Sequence, residues 1–172
     1  ADEYWKYLEE AMQEIKVGDP KEPSTDIGPI INKTSLAKLK DHIARLQKQG
    51  KEHIETAGTL NDDSLMLNPI AFKIDSIKEI DGEKFGPVLH FISYDPSKLD
   101  ELIAEINSTG FGLTMGVHSR ILEKAKLIFE KSNVGNFYLN RDIVGAVVGV
   151  QPFGGQGLSG TGPKAGGPNY LH

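Results

Sequence analysis

The chain has 172 residues, of which 38% are hydrophobic and 25% are charged, and its formal net charge is −5 at pH 7. These values are typical of one globular domain with a core, and the negative charge argues against nucleic acid as a partner, because phosphate binding needs a basic surface. The absence of cysteine excludes a disulfide, a thiolate metal site and a cysteine nucleophile within these residues. The first residues lack the basic and apolar regions of a signal peptide, so we expect a cytoplasmic protein.

The first predicted helix spans residues 2–16, with Asp2 as its N-cap. It stops at residues 17–20, where a glycine and a proline break the helical pattern. Because apolar residues recur in it at helical spacing, one face of this helix should be buried. That face consists of Tyr4, Leu8, Ala11, Met12 and Ile15.

A second helix is predicted after an extended, proline-punctuated connector at residues 22–32. It spans residues 34–49, and Gly50 closes it, because glycine readily adopts the left-handed conformation that ends a helix. The apolar stripe of this helix consists of Leu36, Leu39, Ile43 and Leu46.

Strands and helices then follow one another up to residue 139. From residue 88 onward the order is strand, helix, strand, helix, strand, and this alternation is typical of a parallel α/β sheet. The apolar residues Leu99, Leu102, Ile103 and Ile106 are predicted to be core. The predicted elements are short strands at 53–57 and 65–74 separated by the polar turn 61–64, a strand at 88–94, a helix capped by 95–97 that ends near 107, a strand at 113–118, a helix at 121–131 and a strand at 134–139.

The glycine-rich stretch 154–168 contains three near-matches to functional motifs, and each of them fails. A G-x-G-x-x-G pattern at 155–160 should open a helix that receives a pyrophosphate, but the glycines and prolines at 161–168 cannot propagate a helix. A phosphate-loop pattern that starts at Gly157 has Pro163 where lysine is required. The nucleophile-elbow pattern fails because Thr161 takes the place of its last glycine.

Two interpretations of this end of the chain remain. The glycines and prolines could simply shape an irregular surface loop. However, long loops without secondary structure are often functional, and here the backbone N–H groups around Gly145, Ala146 and Gly149 are predicted to be uncovered beside the rigid ring of Phe153. Such an arrangement suits a small carboxylate with an aliphatic stem.

The segments NRDIVGAVVGVQPFGG at 140–155 and LSGTGPKAGGP at 158–168 resemble the aldehyde dehydrogenase superfamily, most closely the 1-pyrroline-5-carboxylate dehydrogenase module of bifunctional proline-utilisation proteins. The landmarks VGDP with DIGP, EKFGPV and FGLT follow in the family's order. The resemblance implies an α/β fold, a parallel-sheet sandwich like the aldehyde dehydrogenase catalytic domain. Residues 1–172 would form the C-terminal part of that domain, with a long Gly/Pro-rich C-terminal loop and without the Rossmann NAD domain and the nucleophile-bearing segment.

The resemblance also implies roles for five residues. Glu83 would bind the hydroxyls of the nicotinamide ribose, and Phe85 would pack beside the nicotinamide. Gly145 and Ala146 would donate their N–H groups to the substrate's α-carboxylate, and Phe153 would line its methylene groups. From residue type alone, the glutamate could equally be a solvated loop acid, the first aromatic a core residue, the two small residues a turn, and the second aromatic a plug that anchors the loop.

No catalytic residue and no metal site are assigned to the chain itself. Its histidines show no ligand spacing, and Arg141 and Asp142 are predicted to be a solvated pair. Lys84 stands where the family pattern leads us to expect an apolar residue. The histidines are His42, His53, His90, His118 and His172.

The implied function is that of a fragment, inactive alone, of an NAD-dependent enzyme that oxidises L-glutamate-γ-semialdehyde to L-glutamate in proline catabolism. FAD would belong only to a fused proline dehydrogenase domain. The expected partners are that substrate, the remainder of the parent chain and further copies in a homo-oligomer, in the cytoplasm or peripheral at the inner membrane. Two alternatives are a non-catalytic aldehyde-dehydrogenase-like assembly domain and a generic aldehyde dehydrogenase.

Overall fold

The computed structural model describes residues 1–56 and 65–171, which divide into two compact units, Ala1–Ser93 and Tyr94–His172. The predicted polar turn 61–64, Ala57 and His172 lie outside the described residues. Each unit contains one pair of parallel strands. No helix among the described residues is long and apolar enough to cross a membrane.

Helix α1 (Asp2–Gln13) begins and ends differently from the prediction. Its N-cap is Ala1, so Asp2 lies in the first turn, where a carboxylate favours the positive end of the helix dipole. The buried residues are Trp5 and Met12, whereas Tyr4 is 73% exposed. The predicted face is therefore wrong at Tyr4, because the indole of Trp5 packs into a core cluster with β-strand residues and the phenol does not. It is also wrong at Ala11, which is exposed.

Helix α2 (Lys33–Lys48) agrees closely with the predicted second helix. Asn32 is its N-cap and accepts a hydrogen bond from the Ser35 N–H at 2.8 Å, which satisfies one of the unpaired amides of the first turn. Gly50 follows the helix with a φ of 71°, as the prediction of a glycine terminator requires. The buried side of the helix contains Leu36, Leu39, His42 and Leu46.

The first unit holds a three-stranded sheet in the order β1 (His53–Glu55), β2 (Ile70–Lys73), β3 (Val88–Phe91). Strand β2 is central, antiparallel to β1 and parallel to β3, with Ile70 opposite Val88. Its first three residues are fully buried, as expected for a strand covered on both faces. A 3₁₀ turn at Ile77–Glu79 and the following loop connect β2 to β3.

The second unit contains helix α3 (Leu99–Ser108), β4 (Phe111–Gly112), β5 (Thr114–Val117), helix α4 (Leu122–Lys131), β6 (Asn136–Leu139) and β7 (Gln156–Gly157). Strands β5 and β6 are parallel and are joined through α4, which confirms the predicted strand–helix–strand unit. The predicted alternation does not give one sheet, because β3 pairs with β2 in the first unit. Strand β7 pairs antiparallel with β4 and was not predicted.

Candidate functional site

The loop at residues 81–87 connects the 3₁₀ turn Ile77–Glu79 to β3 and carries two of the predicted site residues. Glu83 is exposed, and among the described residues its carboxylate has no hydrogen bond or ion pair. A carboxylate without a protein partner keeps both oxygens free to accept hydrogen bonds. Its exposure leaves Glu83 available to a ligand.

Phe85 is 78% exposed, so the alternative interpretation of this ring as a core residue is wrong. It lines an open, mostly apolar groove of about 670 Å³. An exposed aromatic ring beside a groove offers a flat apolar surface to a planar ligand. The groove is lined by Asp26, Ile27, Gly28, Pro29, Ile30, Ile31, Ser35, Phe85, Gly86 and Pro87.

Lys84, which departs from the family pattern, is tucked under the same loop. Its side chain is only 15% exposed, and its Nζ lies 2.7 Å from both the main-chain oxygen and the Oδ1 of Asp81. The hydrogen bond from this ammonium group lowers the pKa of the Asp81 carboxyl to about 2. The lysine thus links residues 81 and 84 within the loop. The methylene groups of its side chain take the place of part of the apolar side chain expected there.

A pair of histidines lies behind this loop. His42 on α2 and His90 on β3 approach within 2.8 Å between their Nε2 atoms, and the Nδ1 of His42 lies 3.0 Å from a guanidinium nitrogen of Arg45. The same nitrogen of Arg45 lies 3.3 Å from Asp81. The sequence analysis, which found no ligand spacing among the histidines, did not predict that these two meet. No local pattern predicts the pair, since its members are 48 residues apart in the chain.

The loop at residues 140–153 follows β6 and carries the other predicted site residues. Its fold is fixed by the hydroxyl of Tyr138, which donates to the main-chain oxygen of Gly145 at 2.5 Å and accepts from Gln151 at 3.0 Å. Gly145 has a φ of 61°. Glycine adopts this left-handed conformation without the steric cost that other residues bear.

The donor groups of this loop differ in part from the prediction. The N–H of Gly145 bonds to the oxygen of Ile143 at 3.0 Å, so it is not uncovered. Among the described residues, the N–H groups of Ala146 and Gly149 have no acceptor. Gly149, with a φ of 80°, is the third residue of a turn closed by the bond from Val150 to the oxygen of Val147.

Phe153 is half-buried, and its main chain forms an isolated bridge with Ala165. The buried amide of Asn136 holds both neighbours of this residue, donating to the oxygen of Pro152 at 2.9 Å and accepting from the N–H of Gly154 at 3.1 Å. These bonds fix the main chain on either side of the ring. The placement is compatible with a wall of a binding site and with an anchor of the loop.

The glycines of the 154–160 stretch serve close approach of main chains. A Cβ on Gly155 would lie 2.2 Å from the oxygen of Ser159, and one on Gly160 would lie 2.0 Å from the oxygen of Gly155. Real Cβ atoms essentially never come this near, so only glycine fits. The stretch forms β7 and a tight turn rather than a phosphate cradle.

Arg141 and Asp142 are both exposed, as predicted, but the described residues show no ion pair between them. The guanidinium of Arg141 lies 4.8 Å from the ring centroid of Tyr138, within the range of a cation–π contact. Asp142 accepts a hydrogen bond from the N–H of Val144 at 3.1 Å. Both residues therefore stabilise the start of the 140–153 loop. No group of three potential metal ligands occurs in the described part of the chain.

Comparison with known proteins relates the whole chain to one family. A model of the aldehyde dehydrogenase family matches residues 1–172. The chain is 45% identical to the bifunctional protein PutA of Salmonella typhimurium over 97% of its length, which is 13% of that relative. It is 40% identical to the 1-pyrroline-5-carboxylate dehydrogenase of a Geobacillus species over 94% of its length, which is 31% of that relative.

A solved structure gives the same result for the fold. A crystal structure of a variant of proline utilization A (PutA) from Bradyrhizobium japonicum matches 99% of the chain with a TM-score of 0.89 and 42% identity. The match covers 17% of that protein. The chain thus spans a small part of the length of each of these relatives.

Proposed function

Because the chain belongs to the aldehyde dehydrogenase family, we propose that it is the C-terminal part of the catalytic domain of an NAD-dependent 1-pyrroline-5-carboxylate dehydrogenase. That enzyme would oxidise L-glutamate-γ-semialdehyde to L-glutamate in proline catabolism. The observation that carries the proposal is the similarity, over more than nine-tenths of the chain, to both bifunctional PutA and 1-pyrroline-5-carboxylate dehydrogenase. Since the chain has no cysteine, a thiol nucleophile would come from elsewhere in the enzyme, as would the Rossmann domain.

The 81–87 loop would bind the nicotinamide half of NAD. Bound NAD would supply the acceptor for a hydride from the substrate. The exposed carboxylate of Glu83, which has no partner among the described residues, fits this role, because it can accept hydrogen bonds from two neighbouring ribose hydroxyls. The exposed ring of Phe85 would support the nicotinamide. Holding the sugar fixes the direction in which the nicotinamide ring points, which is a positioning contribution to the rate.

The 140–153 loop would bind the α-carboxylate of the substrate. The free N–H of Ala146 would be the principal donor, and that of Gly149 is a second candidate, since both lack an acceptor among the described residues. Gly145 would act through its conformation, which turns the next amide outward, more than through its own N–H. Phe153 would contact the methylene groups of the substrate.

The remaining proposals concern the parent protein. The rest of the parent chain and further copies in a homo-oligomer would complete the enzyme, in the cytoplasm or peripheral at the inner membrane. FAD would be present only if a proline dehydrogenase domain is fused to it.

The test uses the full-length protein that contains this chain. Initial rates with NAD are measured for L-glutamate-γ-semialdehyde and for hexanal, which lacks the α-carboxylate and the amino group. We expect kcat/KM to be about 100-fold or more higher for the semialdehyde, because a site built for a polar group rejects the analogue without it.

Equal kcat/KM for the two aldehydes would point to a generic aldehyde dehydrogenase. No turnover of either would point to a non-catalytic assembly domain. Either result would overturn the proposed function.

A further inference from the structure

The His42–His90 pair lies at the contact between α2 and β3, in the same unit as the 81–87 loop. The two rings meet edge to face, with centroids 5.0 Å apart and their Nε2 atoms 2.8 Å apart. His42 is 4% exposed. Nothing in the proposed roles of the nearby loop uses these two imidazoles, yet a buried polar contact of this kind is costly unless it is satisfied.

The partners of the two rings determine where their protons lie. A guanidinium nitrogen of Arg45 can only donate, so the Nδ1 of His42, 3.0 Å away, must accept. The proton of His42 is then on Nε2 and is donated to His90, whose own proton is on Nδ1. Asp81 lies farther from the same Nδ1, at 3.4 Å. Both rings are neutral in this arrangement.

The same groups hold the two ends of the 81–87 loop. Arg45 donates a hydrogen bond to the main-chain oxygen of Glu79, 2.9 Å away and just before the loop. It also contacts Asp81, which is the first residue of the loop. His90 lies in β3, directly after the loop. Near the loop's end, Gly86 lies so close to Leu39 of α2 that a Cβ on it would be 2.4 Å from that side chain. The hydrogen-bonded chain from Arg45 through His42 to His90 therefore links the helix to both ends of the loop.

We infer that His42 and His90 are positioning residues that hold the 81–87 loop against α2 and thereby fix the exposed Glu83 and Phe85. The consequence for NAD rests on the proposed function. The pair touches neither the substrate nor the cofactor, and it acts through the loop's main chain.

The pair also makes this support sensitive to acid. Burial, followed by the effect of His42, lowers the pKa of His90 from 6.5 to about 4, and burial lowers that of His42. Because the folded state favours the neutral ring, the contribution to stability is full above pH 6.5 and is lost as the pH falls towards 4. The charged groups around the pair are Arg45 on α2, Asp81 and Lys84 in the loop, and Glu79 with its partner Lys51 beside them.

The experiment uses four single variants and one double variant of the full-length protein. His90→Phe removes the acceptor, and His90→Gln restores a side-chain oxygen that can accept from His42 without titrating. His118→Phe, at an exposed residue of the second unit, is the matched control. Glu83→Gln is combined with His90→Phe in a double-mutant cycle. Hydrogen exchange of peptides covering residues 81–87 is measured by mass spectrometry, and kcat/KM for NAD is measured at pH 7.5.

We expect His90→Phe to speed exchange in the 81–87 peptides and to lower kcat/KM for NAD about tenfold, since a displaced Glu83 no longer orients the nicotinamide ribose. His90→Gln should keep kcat/KM for NAD within about twofold of wild type. His118→Phe should change neither the exchange of the 81–87 peptides nor kcat/KM for NAD. In the Glu83→Gln background, His90→Phe should lower kcat/KM for NAD by less than about threefold, because both changes weaken the same contact of residue 83 with the cofactor. If His90→Phe does not fold, His90→Asn, which is too short to reach His42, replaces it.

Unchanged exchange in the 81–87 peptides would overturn the inference whatever the kinetics show. Where Glu83→Gln by itself lowers kcat/KM, an undiminished tenfold loss from His90→Phe in that background would also overturn the inference, because the histidines would then not act through Glu83. If His90→Phe speeds exchange in the 81–87 peptides while Glu83→Gln by itself keeps the wild-type kcat/KM, the inference about the loop is supported and the proposed cofactor role of Glu83 is refuted. The two proposals thus fail separately.

Discussion

The 81–87 loop and the 140–153 loop are surface segments next to parallel strands, but different chemistry holds each of them. Ionic and imidazole side chains hold the first, through Lys84 and Asp81 and through Arg45 behind them. Mainly neutral groups hold the second, through the hydroxyl of Tyr138 and the amide of Asn136, and charged side chains contribute only at its start. Charged contacts respond to pH and salt, whereas neutral ones depend on shape. The first loop should therefore be open to adjustment by solution conditions, and the second should be sensitive mainly to steric change.

The largest effect is expected from a steric change at the end of the 140–153 loop. Gly135→Ala would place a Cβ 1.7 Å from the main-chain oxygen of Gly154, so one of the two main chains must move. We expect a loss of about 3 kcal/mol of stability, measured as a lower Tm of the full-length protein. Gly162→Ala is the control, since no described residue other than its chain neighbours lies within 4 Å of the added Cβ. It should change stability by about 0.5 kcal/mol or less. Equal Tm values for both variants would contradict the steric account.

A smaller and more specific effect is expected from Gly145→Ala. Among the described residues beyond its two chain neighbours, no atom lies within 4 Å of the added Cβ, so the cost arises from the φ of 61° and should be about 1 kcal/mol. Because the turn sets the direction of the Ala146 N–H, the KM for L-glutamate-γ-semialdehyde should rise about fivefold. Gly50→Ala has the same open space and a φ of 71°. It should cost similar stability and leave that KM unchanged, so a similar rise in both variants would refute the substrate role of the 140–153 loop.

The smallest effect is expected from removing the charge that closes the 81–87 loop. Lys84→Met keeps the apolar stem but loses both contacts to Asp81. Because the carboxylate of this ion pair is mostly exposed, the pair should contribute only about 0.2–1 kcal/mol. The pair lowers the pKa of Asp81 from 3.8 to about 2, so its contribution is present above pH 3.8 and is lost as the pH falls towards 2.

Urea unfolding at several pH values tests this prediction. The gap between wild type and Lys84→Met should narrow below pH 3.8 and should also shrink in 1 M salt. Lys6→Met, at an exposed lysine 3.9 Å from Glu10, is the control and should have less effect at pH 7. A gap that does not depend on pH or salt would mean that packing of the Lys84 stem, and not its charge, matters.

Much of the fold could be predicted because its signals are local. The bounds of α2 were correct to one residue, since Asn32 and Gly50 mark its ends through their own conformations. The buried face of α1 was wrong at its start, because Tyr4 and Trp5 are adjacent aromatics and only the cluster with Ile54 and Ala71 decides which of them is buried. Strand β7 was missed, because two residues carry no periodicity.

The candidate site likewise has features that local sequence motifs predict and features that depend on tertiary contacts. Glu83, Phe85 and the 140–153 loop were predicted from contiguous motifs, since a short motif brings its own chemistry with it. The partner of the Gly145 N–H and the exposure of Phe85 could not be predicted, because they depend on how each loop closes.

The sequence by itself determined the family, the ends of α2 and the segments that carry the proposed contacts, since each depends on neighbouring residues in the chain. Only the tertiary structure decided that His42 meets His90, and that Gly135 lies against Gly154. Those contacts join residues far apart in sequence, and they follow from the packing of a helix on a sheet and of one main chain on another, which no local pattern records.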